Sequence, residues 1–184
     1  MTQPSPWIAR WAHLIAPGGT VLDVAAGAGR HTLWLAARGH RVTAVDRDAA
    51  AMASLAAHAE AIVADIEGSA WPLPGRSFDA VVVANYLWRP LLPTLKAALA
   101  PGGVLLWETF AIGNETVGRP KRNDFLLAHG ELLDAAAGLR IVAYEDGFLA
   151  DPDRFVQRLA AVRAGAEDGA ARYPLRPGRE GGEG

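Results

Sequence analysis

Short apolar runs alternate with longer alanine-rich or amphipathic segments over the first hundred residues. The pattern predicts strands and intervening helices, the strands at 20–24, 41–45, 61–64, 79–84 and 104–107, the helices at 30–38, 48–59 and 90–100. Strands that are apolar on both faces are typical of a parallel sheet with helices on each side. The alternation therefore predicts an α/β fold with a doubly wound sheet.

The alternation stops after residue 108. A polar loop at 113–124 and a helix at 131–137 follow, and apolar runs at 139–144 and 155–162 then come with no helix between them. Consecutive strands without a crossover helix pair antiparallel. We therefore expect five βα units followed by a hairpin, in a seven-stranded sheet that is mostly parallel with a C-terminal antiparallel strand.

The two ends of the chain differ in character. Ser5 and Pro6 suit the cap and first residue of a helix, and apolar residues recur at helical spacing up to residue 15, which predicts a helix at 5–16 as a candidate cap over the site. The sequence from residue 165 is rich in glycine and charge, which predicts a flexible tail at 165–184. We expect a single domain at 1–164.

Composition narrows the function classes. The 184 residues are 51% hydrophobic, carry a formal net charge of -2 and include no cysteine. The charge disfavours a nucleic-acid partner, and the lack of cysteine excludes disulfides and thiolate metal sites; we expect no metal at all. No signal peptide and no apolar run of membrane-spanning length is present, so we expect a soluble, cytoplasmic protein without membrane contact.

The turn after the first predicted strand is the most distinctive segment. Asp23 lies near the end of that strand, and the turn is built from small residues, namely Ala25, Ala26, Gly27 and Gly29. Small side chains allow a ligand to approach the backbone, and the next helix points its free N–H groups into the same space. A second acid, Asp46, ends the second predicted strand, where a carboxylate can grip a ribose diol. These features indicate a cofactor that contains adenosine.

A dinucleotide cofactor is disfavoured by the glycine spacing. The fingerprint requires glycines in the pattern G-x-G-x-x-G, and Thr32 stands at the third position counted from Gly27. A nicotinamide oxidoreductase is therefore the weaker alternative.

Asp23, Gly27, Gly29 and Asp46 together resemble the first motif and the strand-two acid of class I S-adenosylmethionine (SAM) dependent methyltransferases. Further matches are Ala64-Asp65 and the stretches 78–82 and 99–103. The sequence departs from the family pattern at Ala25, where glycine is common. The resemblance is nearest to small bacterial enzymes of the tellurite-resistance and ubiquinone-biosynthesis-like kind. It implies a Rossmann-like fold, SAM as cofactor and a small-molecule methyl acceptor.

The resemblance also implies which residues meet the cofactor. They are Asp23, Ala25, Ala26, Gly27, Gly29, Arg30, Asp46, Arg47, Asp65, Ile66 and Asn85. Arg30 is a candidate for the carboxylate of the cofactor. Asp65 corresponds to the acid that commonly meets the adenine amino group, although an aspartate at this place can equally cap the next turn.

Methyl transfer from a sulfonium is an in-line displacement with an activated leaving group, so a general base is optional. Should the acceptor carry a proton at the reacting atom, the candidate bases by position are His31, Tyr86 and Glu108. The sequence does not choose among them.

Candidate acceptor contacts are Trp11, Tyr86, Trp88, Arg89 and Arg119. Each has a plainer interpretation, since tryptophans at helical spacing usually pack in a core and loop arginines are usually solvated. Arg119, Lys121 and Arg122, with Arg89 and Arg140 further off, are candidates for a cationic rim over the site, although the default interpretation of such a cluster is solvated loop charges.

Two alternatives keep the same fold. One is a non-catalytic module that binds SAM, and the other is an RNA methyltransferase. The acceptor, the oligomeric state and any role of the tail are not encoded in a motif that we can interpret.

Overall fold

The computed structural model describes residues 3–165 and 171–177 and contains one seven-stranded sheet. The strands in chain order are β1 (Thr20–Val24), β2 (Arg41–Asp46), β3 (Glu60–Val63), β4 (Phe78–Ala84), β5 (Leu99–Phe110), β6 (Arg140–Leu149) and β7 (Arg154–Val162). In space they follow the order β3-β2-β1-β4-β5-β7-β6. The first five are parallel, and β7 lies antiparallel between β5 and β6. The predicted fold class is confirmed.

Helices cover both faces of the sheet. In the described residues they are α1 (Pro6–Trp11), α2 (Arg30–Ala36), α3 (Ala49–Leu55), α4 (Leu92–Ala97), α5 (Asn114–Val117) and α6 (Glu131–Ala135). Ile8 of α1 and Leu35 of α2 are buried against one face, beside Val21 of β1. Leu95 of α4 and Leu132 of α6 are buried against the opposite face. Residues of the central strands therefore alternate between two apolar cores, which explains their continuous hydrophobicity.

β5 begins earlier than predicted. The Pro-Gly-Gly stretch at 101–103 was expected to follow a helix directly, and α4 does end before it, but the chain is already extended at Leu99, which pairs with Phe78. A Cβ on Gly103 would lie 2.9 Å from the Phe78 carbonyl oxygen. Glycine is needed here because the two backbones approach closely, so it serves a strand contact as well as a turn.

Two connections differ from the expected pattern. Residues 64–77, between β3 and β4, form turns without a helix, so one of the five predicted βα units lacks its helical part. The segment predicted as a polar loop at 113–124 contains α5 and the start of a 3-10 turn at Asn123–Phe125.

The N-terminal helix is shorter than predicted but begins as expected. The Ser5 hydroxyl accepts a hydrogen bond from the Trp7 backbone N–H at 3.1 Å, and Pro6 occupies the first helical position. α1 ends at Trp11 and continues as a 3-10 turn at Ala12–Leu14. Trp7 and Trp11 are almost fully buried, so this helix is part of the core.

The predicted flexible tail at 165–184 lies largely outside the described residues. Its described part, 171–177, packs on the body of the protein: His13 Nε2 is 2.8 Å from the Pro174 carbonyl oxygen, and the Arg140 guanidinium lies over the Tyr173 ring. No helix in the two described ranges has the length and apolar character to span a bilayer.

Candidate functional site

A crevice lies at the carboxyl ends of the parallel strands β1 to β4, the edge at which open α/β sheets bind ligands. It has a volume of about 290 Å³ and is lined by Ala25, Asp46, Arg47, Ala64, Asp65, Ile66, Glu67 and Tyr86. Five of the residues predicted to meet the cofactor and one candidate acceptor contact therefore border one cavity. Ala64 and Glu67 complete the lining.

The turn after β1 adopts a left-handed backbone three times. The φ angles are 53° at Ala25, 54° at Gly27 and 75° at Gly29. A Cβ on Gly29 would come within 2.3 Å of the Leu55 side chain, whereas one on Gly27 would meet no atom within 4 Å. Gly29 is thus required for packing of the turn on α3, and Gly27 leaves open space beside the crevice.

Asp46 connects this turn to β2. One carboxylate oxygen accepts the Gly27 N–H at 2.8 Å, and the other accepts the Asp48 N–H at 2.9 Å. Each oxygen keeps acceptor capacity, because a carboxylate oxygen has two lone pairs. Asp46 therefore fixes the glycine turn and also presents an acceptor to the cavity. Ala26 holds the turn from the other side by donating its N–H to the Val45 carbonyl oxygen.

Asp23 is buried beneath the turn rather than exposed in the cavity. It is 1% exposed, and its Oδ2 accepts the Thr32 hydroxyl at 2.6 Å. Burial raises the pKa of Asp23 to about 6, and the hydrogen bonds from Thr32 and the charge of Arg30 oppose that rise. Arg30, the first residue of α2, is only half-buried.

Asp65 caps a turn and lines the cavity at once. Its Oδ1 accepts the N–H groups of Glu67 and Gly68 at 3.0 and 3.2 Å. These hydrogen bonds keep the pKa of Asp65 below its usual value. Both interpretations offered by the sequence are therefore compatible with its position.

Asn85 and Tyr86 follow β4. Asn85 has a left-handed φ of 56°, and its N–H donates to the Glu108 carbonyl oxygen at 2.8 Å. The next residue, Tyr86, borders the cavity, and within the described part of the chain its hydroxyl has no partner in hydrogen-bond geometry. Burial and the nearby Glu67 and Asp65 carboxylates raise the pKa of Tyr86, so the phenol is protonated at neutral pH.

His31 is held by the N-terminal segment. It is 3% exposed, and its Nε2 accepts the Ser5 backbone N–H at 3.1 Å. Burial and the charge of Arg30 lower the pKa of His31 to about 4, so the imidazole is neutral at physiological pH. The Ser5 hydroxyl donates to Glu108 Oε1 at 2.9 Å. A single residue ahead of α1 therefore joins α2 to β5.

Glu108 is fully buried and has partners on both oxygens. Arg158 Nη1 lies 3.4 Å from Oε2, and Arg154 Nη1 lies 3.9 Å from Oε1. Arg158 also forms an ion pair with Glu145 of β6. A buried carboxylate needs such compensation because desolvation of an unpaired charge is costly.

The other candidate acceptor contacts lie in three different environments. Trp11 is in the core under the sheet, with 1% exposure. Arg89 forms a two-pronged ion pair with Glu131 of α6, at 2.6 and 2.9 Å, and Trp88 beside it packs on the core. Arg119 is exposed on the segment after β5 and borders a separate depression.

Ser5 and Arg158 were not foreseen from the sequence as parts of this network. Their partners are 103 and 50 residues away in the chain, so no local spacing reports the contacts. Glu67 was detectable, because it follows the strand-end pair Ala64-Asp65 by two positions.

Part of the chain matches a known protein family. Residues 21–103, which contain most of the crevice, match the family described as Methyltransferase domain. No curated protein matches the sequence.

Solved structures with the same fold include three methyltransferase-related proteins. TehB from Haemophilus influenzae has 22% identity and a TM-score of 0.68, over 83% of this chain and 59% of its own. A SAM dependent methyltransferase from Aquifex aeolicus has 21% identity and a TM-score of 0.61, over 82% and 85%. A TehB-like SAM-dependent methyltransferase from Corynebacterium glutamicum has 21% identity and a TM-score of 0.59, over 83% and 86%. The chain spans about three fifths of the length of TehB.

Residues 21–103 match a methyltransferase domain, and the solved neighbours share the Rossmann-like fold of the sheet. The TehB and TehB-like neighbours, at 21–22% identity, share the fold, and the methyltransferase family match indicates S-adenosylmethionine as the cofactor.

Proposed function

We propose that this protein transfers a methyl group from SAM to a small-molecule acceptor. The observation that carries the proposal is the pairing of Asp46 with the Gly27 N–H at the mouth of the crevice. It brings a carboxylate with free acceptor capacity and an open glycine turn to the same point, which suits a ribose and the polar groups attached to it. No metal is required for this chemistry.

We assign different residues to different parts of the cofactor. Asp46 is assigned to the ribose diol, and Asp65 with Ile66 to the adenine end of the cavity, which they line. Arg30 and Asn85 are assigned to the amino acid end, because α2 and the end of β4 face the same edge as the glycine turn. Asp23 supports that end from below through Thr32.

The bound cofactor supplies a methyl group on a positively charged sulfur. The protein contributes alignment and exclusion of water, effects that supply about 7 to 11 kcal/mol in well-oriented reactions. His31 and Glu108 are both occupied by Ser5, so neither is free to take a proton. Tyr86 is protonated and faces the cavity, and we assign it to orient the acceptor by donating a hydrogen bond.

This arrangement favours acceptors whose reacting atom needs no deprotonation by the protein. A thiolate or a reduced chalcogen anion satisfies the condition, since the reacting atom of such an anion carries a lone pair and no proton that must be removed. The test is a panel of thiols, phenols, amines and chalcogen anions incubated with SAM, with S-adenosylhomocysteine measured as product. We expect product only with the thiols and the chalcogen anions. Tyr86→Phe should lower the rate of methyl transfer and leave the affinity for the cofactor unchanged.

A non-catalytic SAM-binding module is the second candidate, favoured by the engagement of His31 and Glu108 in structural contacts. Tight binding of S-adenosylhomocysteine without turnover on any acceptor class would support the module and contradict the enzyme. Turnover on tRNA fragments alone would instead support an RNA methyltransferase.

A further inference from the structure

The segment between β5 and α6 presents an exposed surface that the methyl-transfer site does not use. Three large apolar side chains are exposed there, Ile112 by 42%, Val117 by 41% and Phe125 by 37%. Three cationic residues accompany them, namely Arg119, Lys121 and Arg122. We call these six residues the β5–α6 surface. Phe125 lies directly against the basic residues, because it lines one depression with them and the Arg122 guanidinium is 5.4 Å from its ring centroid.

Hydrogen bonds hold the parts of this surface together. Asn114, 1% exposed, donates from Nδ2 to the Pro120 carbonyl oxygen at 3.3 Å and accepts the Phe155 N–H at 3.2 Å. The Ile112 N–H donates to the Leu127 carbonyl oxygen at 2.9 Å. The start of the segment, its basic middle and its end are thereby fixed to the same edge of the sheet. These hydrogen bonds therefore hold the surface in a fixed position on the fold.

The basic middle is open and cationic. An open depression of about 480 Å³ is lined by Arg119, Pro120, Lys121, Arg122 and Phe125, with no acid among them. Arg122 pairs with Asp124 at 2.6 Å, while Arg119 and Lys121 have no polar partner in residues 3–165 and 171–177. The whole chain has a formal charge of -2, so these cations are concentrated locally.

Acidic residues lie inside the segment, at Glu115 and Asp124, and in the turn between β6 and β7. The turn between β6 and β7 carries Asp151 and Asp153, between Phe148 and Phe155, whose rings are tilted by 58° with centroids 5.1 Å apart. Glu115, inside the segment, is turned back to accept the Gly113 N–H at 2.8 Å. The positive part of the surface is therefore confined to residues 119–122, with the exposed apolar side chains beside it.

We propose that the β5–α6 surface docks on a lipid bilayer that contains anionic lipids. Lys and Arg next to anionic headgroups and large apolar side chains at the acyl boundary are the two contributions that hold peripheral proteins on membranes. A nucleic acid fits less well, because it offers no apolar partner to Ile112 and Val117. Docking of this kind replaces the expectation of no membrane contact, which rested on the lack of a membrane-spanning apolar run, because it needs no spanning helix. Docking does not depend on methyl transfer.

The test is co-sedimentation of the whole protein with vesicles of phosphatidylcholine alone or with phosphatidylglycerol added. We expect binding only to the anionic vesicles, weakened by salt. The double variant Arg119→Glu, Lys121→Glu should bind about 25-fold or more weakly, given about fivefold for each cation near the surface. Phe125→Ser should weaken binding as well, through lost apolar contact.

Matched controls lie on the exposed segment 171–177. Arg172→Glu, Arg176→Glu repeats the charge change, and Leu175→Ser repeats the apolar change at a residue that is 62% exposed. These variants should bind like the unaltered protein. Equal loss in the controls, binding to neutral vesicles, or no binding by folded protein would overturn the proposal. Displacement from vesicles by inorganic phosphate at millimolar concentration would equally contradict it, because it would show a site for the free anion.

Discussion

Asp23 and His31 are buried ionisable residues. Their pKa shifts make the free energy of unfolding depend on pH in opposite directions. Burial raises the pKa of Asp23 to about 6, above its unfolded value of 3.8, and burial with Arg30 lowers the pKa of His31 to about 4, below its unfolded value of 6.5. Asp23 therefore costs stability as the pH rises from about 4 to 6, since the unfolded chain ionises first. His31 costs stability as the pH falls through about 6.5 to 4, since the unfolded chain binds the proton first.

Substitution of Asp23 or His31 by a residue that does not titrate should remove that residue's contribution to the pH dependence of the unfolding free energy. Relative to Asp23→Asn, the unaltered protein should lose about 3 kcal/mol of unfolding free energy between pH 4 and 6. Relative to His31→Gln, it should gain about 3 kcal/mol between pH 4 and 6.5. Urea denaturation of the ligand-free proteins across this range measures both. Differences that stay flat with pH would contradict the assigned pKa directions.

Asp46 is the residue on which the cofactor assignment depends most. Asp46→Ala should weaken binding of S-adenosylhomocysteine by about 1.5 to 3 kcal/mol, the usual contribution of a hydrogen bond to a charged group. Calorimetry measures the change. Because Asp46 also holds the Gly27 N–H, Asp46→Asn is a needed second variant, which keeps a neutral acceptor and should lose less.

Asp153→Ala is the matched control for this experiment, since Asp153 lies exposed in the turn between β6 and β7. It should leave affinity unchanged. The ribose assignment would be wrong if Asp46→Ala bound the ligand as tightly as the control.

At the scale of elements, the segment ahead of α1 links parts of the fold that are distant in sequence. Ser5 joins α2 to β5 through His31 and Glu108, and Trp7 Nε1 donates to the Leu159 carbonyl oxygen of β7 at 3.1 Å. The helix predicted as a cap is thus a core element with a short polar link in front of it. Ser5 is 2% exposed, so these hydrogen bonds are shielded from water.

Ser5→Ala should lower the free energy of unfolding by about 2 kcal/mol. The variant loses the N-cap of α1 and leaves one oxygen of the buried Glu108 without its hydroxyl donor. Urea denaturation checks the value, with Ser77→Ala as control because Ser77 is exposed in the turns before β4. Equal stability of the two variants would refute the structural role of Ser5.

The sequence was sufficient for the elements whose contacts are local or periodic. Strands β1, β2 and β4 lie within one residue of their predicted bounds, and the hairpin of β6 and β7 was expected from the missing crossover helix. β5 was misjudged at its start, because pairing of Leu99 with Phe78 overrides the turn signal of Pro101. Helix ends were misjudged too, since alanine-rich segments carry little information about where packing stops.

Only part of the candidate site was predictable from the sequence. The strand-end residues Ala25, Asp46 and Asp65 were identified because a parallel sheet gathers them at one edge whatever the loops do. The sequence did not predict that His31 and Glu108 are hydrogen-bonded to Ser5, because Ser5 lies outside the βα units and far from Glu108 in the chain. Sequence patterns report which residues share an edge, and distant contacts decide which of them remain free.

For the whole molecule, a ligand in the crevice should stabilise the fold measurably. S-adenosylhomocysteine at 100 times its dissociation constant should add about 2.7 kcal/mol to the unfolding free energy, provided that it binds only the folded chain. Hydrogen exchange should slow at Ala25 and at residues 64–67, which line the crevice. Protection confined to β6 and β7 would place the ligand elsewhere.

The contacts of Ser5 and Trp7 have a consequence for the order of assembly. These residues precede every strand in the chain, yet their partners Glu108 and Leu159 come 103 and 152 residues later. During synthesis, the contacts of Ser5 and Trp7 can therefore form only after β5 and β7 have been made. In a variant whose other five tryptophans are replaced, the fluorescence of Trp7, which is buried at 2% exposure, would follow the formation of these contacts.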